Sequence, residues 1–199
     1  LVATGLADFN DPDNPFKDWS FVFISYCTGD VHWGNKHTFY GAAQTISHVG
    51  RVNAQVAEKF AREHFVNPET IVVTGSSAGS YGAWMNGAYL MHDVYPTSQF
   101  NLLGDAGVGV ITREWLDLSL KNWGVQEQLP PFIPAFDRPA EELSMVNIMS
   151  EIALANPHAP FRVVQHRLRR NRRWSVGVLQ RHEEHRQPAG MGPVVERDL

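Results

Sequence analysis

The sequence predicts an α/β fold, a mostly parallel sheet flanked by helices, and three observations carry that reading. Short β-branched runs alternate with longer amphipathic stretches at crossover lengths, as parallel strands require. One run, Thr70 to Thr74, passes straight into Gly75-Ser76-Ser77-Ala78-Gly79 and then into small residues suited to a helix start. Polar and glycine-dense segments follow the strand candidates, where an open α/β sheet forms its ligand crevice.

Taken in order, residues 1 to 19 read as loop, with Asn10-Asp11-Pro12-Asp13-Asn14-Pro15 a turn-rich connector. Trp19 to Cys27 is aromatic and β-branched with few polar interruptions, which predicts a strand covered on both faces. It ends in Thr28-Gly29-Asp30-Val31-His32-Trp33-Gly34-Asn35, a candidate wall of the crevice in which Asp30 and His32 are candidate rim residues. A lone loop histidine such as His32 or His37 is more often structural than catalytic, and no second metal-ligand pair stands at suitable spacing. From about Gln44 to Phe65, Ile46, Val49, Val52, Val56 and Phe60 recur at helical intervals and predict the packed face of one helix. Arg51, Glu58, Lys59, Arg62 and Glu63 fall largely on its solvated side, and Asn67-Pro68 stops it.

The stretch Thr70 to Gly82 has the form of a nucleophile elbow, so the fold class sharpens to α/β-hydrolase-like. A strained turn would lift the Ser77 hydroxyl out of the carboxyl end of the strand. Gly75 and Gly79 lack a Cβ that would crowd strand and helix, and the Ala78 backbone amide would face an oxyanion at the positive helix end. Small residues also cluster in ordinary strand-to-helix turns, so the flanking strand and helix give the pattern its weight. Helix then continues from Ser80 to His92 and ends at Tyr95-Pro96. Phe100 to Gly109 reads as the next strand running into a glycine-rich loop. That puts Asp105 on the same rim as Ser77, either as a triad carboxylate or as an organiser of its own turn. Thr112 to Trp123 is a short amphipathic helix, Pro130, Pro131 and Pro134 break residues 124 to 138 into loop, and Arg138-Pro139 opens a helix to about Ala155. Phe161 to Gln165 is a further strand.

A chain of 199 residues with 43% apolar and 19% charged content is one globular domain by length. No apolar run approaches the roughly eighteen residues of a transmembrane helix. No basic-then-apolar leader opens the chain, and Leu1 rather than Met stands first, so an upstream signal peptide is neither claimed nor excluded. One cysteine, Cys27, excludes an intrachain disulfide and a cysteine metal cluster and reads as a buried apolar thiol. No metal or cofactor is expected.

Charge divides the chain into 1–165, a partial α/β-hydrolase domain, and 166–199, an arginine-rich aberrant tail. The first carries 9 Lys+Arg against 17 Asp+Glu, the second 8 against 4 with no lysine. A basic tail for nucleic acid or a membrane surface is one reading, but such tails mix Lys with Arg and shed aliphatics. A reading-frame shift in the source sequence is favoured. Shifted by one base, the codons behind Leu168, Arg169 and Arg170 can spell Phe-Asp-Gly. Resequencing the DNA across codons 160 to 175 decides between the readings, and an unbroken frame with clean reads sinks the shift.

Tyr26-Cys27-Thr28-Gly29-Asp30-Val31, Gly75-Ser76-Ser77-Ala78-Gly79 and Gly104-Asp105-Ala106-Gly107 together give the chain a resemblance to the pectin acetylesterase and Notum family of serine carboxylesterases, over roughly residues 5 to 165. The resemblance implies an α/β-hydrolase-like fold, here incomplete at both ends, a Ser-His-Asp triad removing small acyl groups such as acetyl from carbohydrate, and secretion. It makes Ser77 the nucleophile and Ala78 one oxyanion amide. The other oxyanion donors would belong to a glycine- and tryptophan-containing loop before residue 1, to which Cys27 would be disulfide-bonded. The family's acid should follow the strand at 161–165, where Arg169 and Arg170 stand, and its histidine lies further on; the role is not transferred to His182 or His185. The expectation is a serine esterase scaffold impaired in this chain, acting on an acylated carbohydrate or another small ester, with neither nucleic acid nor membrane as partner. The rivals are a non-catalytic carbohydrate-binding or scaffold protein using aromatics such as Trp33 and Trp84, and a basic-tail nucleic-acid binder.

Overall fold

The computed structural model describes residues 5–42, 44–139, 142–165 and 175–178. Its centre is a four-stranded sheet in the order β3-β4-β5-β6, formed by β3 (Thr70–Ser76), β4 (Gln99–Asp105), β5 (Phe161–Gln165) and β6 (Ser175–Val178). β3, β4 and β5 run parallel, and β6 closes antiparallel onto β5. A separate antiparallel hairpin joins β1 (Lys36–Phe39) to β2 (Thr45–His48). Helices α1 (Gly50–His64), α2 (Ala78–Tyr89), α3 (Arg113–Trp123) and α4 (Met145–Ala155) complete the α/β arrangement that the alternation predicts.

α2 is the helix around which the core is packed. It is built from small residues interrupted by Trp84 and Met85, both fully buried, and it meets Phe100 and Leu102 of β4, Ile148 and Ile152 of α4, and Phe161 of β5. The Trp84 and Phe161 rings stand 4.9 Å apart. A Cβ at Gly87 would lie 2.6 Å from a Leu102 methyl, so glycine there lets the helix settle onto the sheet. One π turn, Leu90–Val94, carries α2 to its stop at Tyr95.

Four expectations change. Trp19 to Cys27 forms no strand: residues 20–27 lack ladder pairing, and Trp19, Phe21, Val22, Phe23 and Tyr26 are exposed. Composition suits that segment to a sheet, but a strand exists only where a neighbour supplies its hydrogen bonds. The helix read over 44–65 is split, because Thr45 and Ile46 pair in the hairpin. Gly41 and Ala42 turn that hairpin at φ +88 and +46, and α1 begins only at Gly50. Its apolar stripe is not its packed face, since Val56 and Phe60 are exposed. Arg51, assigned to the solvated side, is buried against Glu58, Asn86 and the Tyr89 ring. Pairing with a carboxylate and an aromatic face is what allows an arginine to be buried.

The fourth change is at α4, which starts at Met145 rather than near Pro139. Ser144 accepts the Asn147 N–H at 3.0 Å while the Asn147 side chain accepts the Ser144 N–H, a reciprocal cap that fixes the start. α3 matches its expected span, capped by Thr112 and ended by Gly124 at φ +66. The proline-rich connection after it is packed, with Val125, Ile133 and Phe136 buried. Among the described residues no helix is long and apolar enough to cross a membrane. Of the arginine-rich tail, 166–174 and 179–199 lie outside the described residues; the four residues of β6 fall between them.

Candidate active site

Ser77 sits between β3 and α2 at φ 54 and ψ −115, a backbone conformation that side-chain-bearing residues rarely hold. The turn is fixed from two sides. The Ser77 N–H donates to the Asp105 carbonyl at 2.8 Å, and the Ser80 N–H donates back to the Ser77 carbonyl at 3.0 Å. Gly75 is where bulk is forbidden: a Cβ there would meet the Gly79 carbonyl oxygen at 2.3 Å, whereas a Cβ at Gly79 would meet nothing within 4 Å. The close approach of the two backbones at Gly75 is what sends the chain sharply from strand to helix. Ser77 is exposed, and Ala78 heads α2, where N–H groups have no intrahelical carbonyl and the helix dipole is positive.

Asp105 lies directly across from Ser76 in the β3–β4 register, and its carboxylate accepts the Ser76 hydroxyl at 3.1 Å. Its backbone carbonyl thus holds Ser77 while its side chain holds the preceding residue. This is the turn-organising arrangement that the sequence left open beside a triad role.

Asp30 does not reach the rim where the sequence put it. It is fully buried, and its carboxylate accepts four hydrogen bonds: the Thr28 hydroxyl at 2.5 Å and the His32 N–H at 3.1 Å on Oδ1, and the Gly34 N–H at 3.1 Å and the Gly50 N–H at 2.7 Å on Oδ2. Since Val49 gives α1 no side-chain cap, Asp30 supplies it from a distant loop. The knot also holds Val31 and His32 at φ 50 and 63. His32 lies against Gly82 of α2, with its carbonyl accepting the Asn86 side-chain N–H at 3.3 Å and its ring 4.9 Å from Tyr26. Burial pushes the His32 pKa below its ordinary value, opposed by the Asp30 charge, and burial raises that of Tyr26. Tyr26 and Asn86 belong to this wall; Tyr26 opens the Tyr26-to-Val31 motif, whereas Asn86 stands in no motif and carries no sequence signal.

His32 and Ser77 line one cleft of about 1070 Å³ between β3, α1, α2 and the segment from Asp18 to Tyr26. The elbow separates them, however. His32 packs against Gly82, five residues beyond Ser77, and no hydrogen bond joins it to the serine. Among the described residues no histidine is hydrogen-bonded to Ser77. His37 bonds Ser47, and both ring nitrogens of His48 are engaged, by Thr28 and Tyr40. Cys27 is an exposed free thiol rather than a buried one. Trp33 and Trp84 are fully buried, so neither can stack on a sugar. Arg169, Arg170, His182 and His185 lie outside the described residues.

A parallel sheet whose strand ends in a Gly-x-Ser-x-Gly turn with a strained serine defines the α/β-hydrolase-like class. Within it, a family model described as pectinacetylesterase matches residues 2–115, and the chain belongs to that family. The match takes in the Asp30 loop, the elbow and β4, and ends in α3. The family is one of carboxylic ester hydrolases acting on acetylated carbohydrate. No curated protein and no solved structure matches the chain.

Proposed function

We propose that this chain carries the nucleophile half of a serine esterase that removes acetyl groups from carbohydrate. The observation that carries the reading is the Ser77 backbone, held at φ 54 at the head of a helix between Asp105 and Ser80. Ser77 Oγ attacks the ester carbonyl carbon, and a histidine takes its proton and returns it to the leaving alcohol. An aspartate orients that histidine, and the Ala78 N–H holds the oxyanion until water releases acetate. Resemblance to the family supports an extracytoplasmic site of action.

The second half of the proposal is that the chain as written is impaired. Arginines stand where the acid is expected, and no histidine among the described residues reaches Ser77. p-Nitrophenyl acetate and acetylated pectin test both halves, with Ser77→Ala as control. Little or no turnover is expected from the chain, and robust turnover that disappears in Ser77→Ala would overturn the impairment. The carbohydrate-binding rival loses the two tryptophans named for it, because both are core residues.

A further inference from the structure

Gly104-Asp105-Ala106-Gly107, the third motif of the sequence, closes β4 beside the elbow, and both of its glycines abut one side chain, that of Ser80. A Cβ at Gly104 would lie 2.3 Å from Ser80 Oγ, and a Cβ at Gly107 would lie 2.5 Å from Ser80 Cβ and 3.1 Å from the Ser77 carbonyl oxygen. Ser80, in the first turn of α2, is fully buried in that notch. Its hydroxyl donates to the Gly107 carbonyl at 3.3 Å, and Tyr81 Oη accepts the Gly109 N–H at 3.3 Å. With the Ser77 N–H on the Asp105 carbonyl, residues 105, 107 and 109 are fastened in turn to Ser77, Ser80 and Tyr81.

This fastening opposes backbone strain on both of its sides. Ser77 and Ala106 each stand at φ 54, in the left-handed region that residues with side chains rarely occupy. Such conformations persist where the surroundings over-determine them. A loop free to slip would carry the Asp105 carbonyl away from the Ser77 N–H and let the turn relax. Close packing of the two glycines on Ser80 blocks movement toward the helix, and the Ser80 hydroxyl bond resists withdrawal. Being fully buried, Ser80 cannot touch a substrate, so its influence on chemistry passes through the loop.

We propose that Ser80 is a positioning residue: seated between Gly104 and Gly107, it clamps the loop after β4 to α2 and thereby keeps Ser77 in its strained conformation. The catalytic consequence rests on Ser77 being the esterase nucleophile; the clamp itself does not.

The test uses the whole chain and two readouts. One is exchange of the Ser77 amide, which requires no catalysis, and the other is Ser77-dependent hydrolysis of p-nitrophenyl acetate at a fixed imidazole concentration. Ser80→Ala removes one neutral hydrogen bond and should speed Ser77 amide exchange about fivefold to tenfold. The imidazole-assisted kcat should fall by a similar factor with KM unchanged. Gly104→Ala should harm Ser77 protection less in Ser80→Ala than in the parent, because Ser80 Oγ, the nearest atom its Cβ would meet, is gone. Ser144→Ala, which loosens α4 away from the elbow, controls for a general loss of stability and should leave Ser77 exchange nearly unchanged. Unchanged Ser77 exchange in Ser80→Ala, equal acceleration in Ser144→Ala, equal harm from Gly104→Ala in both backgrounds, or a loss of rate carried by KM overturns the proposal. If exchange responds as expected while the parent shows no Ser77-dependent turnover, the clamp stands and the nucleophile reading falls.

Discussion

Replacing Asp30 tests how the loop before the hairpin, α1 and α2 are held together. In Asp30→Ala the Thr28 hydroxyl can rotate, but the N–H groups of His32, Gly34 and Gly50 lose a buried acceptor. A buried unsatisfied donor costs about 1–3 kcal/mol, so three left together cost several kcal/mol, on the order of 3 or more. Against a domain stability of about 5–15 kcal/mol that is a large fraction. Asp30→Asn should cost less, about 1–3 kcal/mol. Its carbonyl can keep Gly34 and Gly50 while its amide donates to Thr28, which leaves only the His32 N–H without an acceptor. Urea unfolding followed by tryptophan fluorescence reads both, because Trp33 and Trp84 are fully buried. A loss below about 1 kcal/mol in Asp30→Ala, or a greater loss in Asp30→Asn than in Asp30→Ala, would mean that the Asp30 carboxylate does not hold these segments together.

Three further outcomes are specific. His32 has a folded pKa below its ordinary 6.5, so as pH falls through 6.5 the unfolded chain takes up a proton that the buried ring resists. Stability should therefore fall over that window and level off below the folded pKa, and His32→Asn, which tolerates the positive φ, should flatten the slope in thermal melts across about pH 5 to 8. Gly75→Ala drives a Cβ into the Gly79 carbonyl and should cost about 3 kcal/mol or abolish folding, with Gly79→Ala much milder by the same chemical denaturation. Ser144→Ala removes the α4 cap and should lower stability by about 1 kcal/mol, seen as a shifted denaturation midpoint at constant slope.

Local patterns in the sequence disclose β3, the elbow, β4, α3 and β5, because each is specified by its own residues: apolar runs in the strands, Gly75 in the turn, and the amphipathic spacing of Thr112 to Trp123. The misreadings share one cause, a distant partner. The loop of Asp30 follows a strand-like run and so predicts a rim residue, yet its role depends on the Gly50 N–H twenty residues away. Arg51 falls on the charged side of a helical wheel but is buried by Glu58, Asn86 and Tyr89. Trp19 to Cys27 has the composition of a central strand and pairs with nothing among the described residues. At the candidate site Ser77 can be found from spacing, while Asn86 cannot, since only tertiary packing brings it to His32.

Chemical rescue tests whether Ser77 is a correctly held nucleophile that lacks its base. p-Nitrophenyl acetate hydrolysis is followed with added imidazole, comparing the chain with Ser77→Ala to subtract the background rate of imidazole itself. The two proteins should be nearly equal without imidazole, and the chain should pull ahead as imidazole rises. Equal rates at every concentration would contradict the role of Ser77, and a large Ser77-dependent rate without imidazole would show that the chain already holds its base.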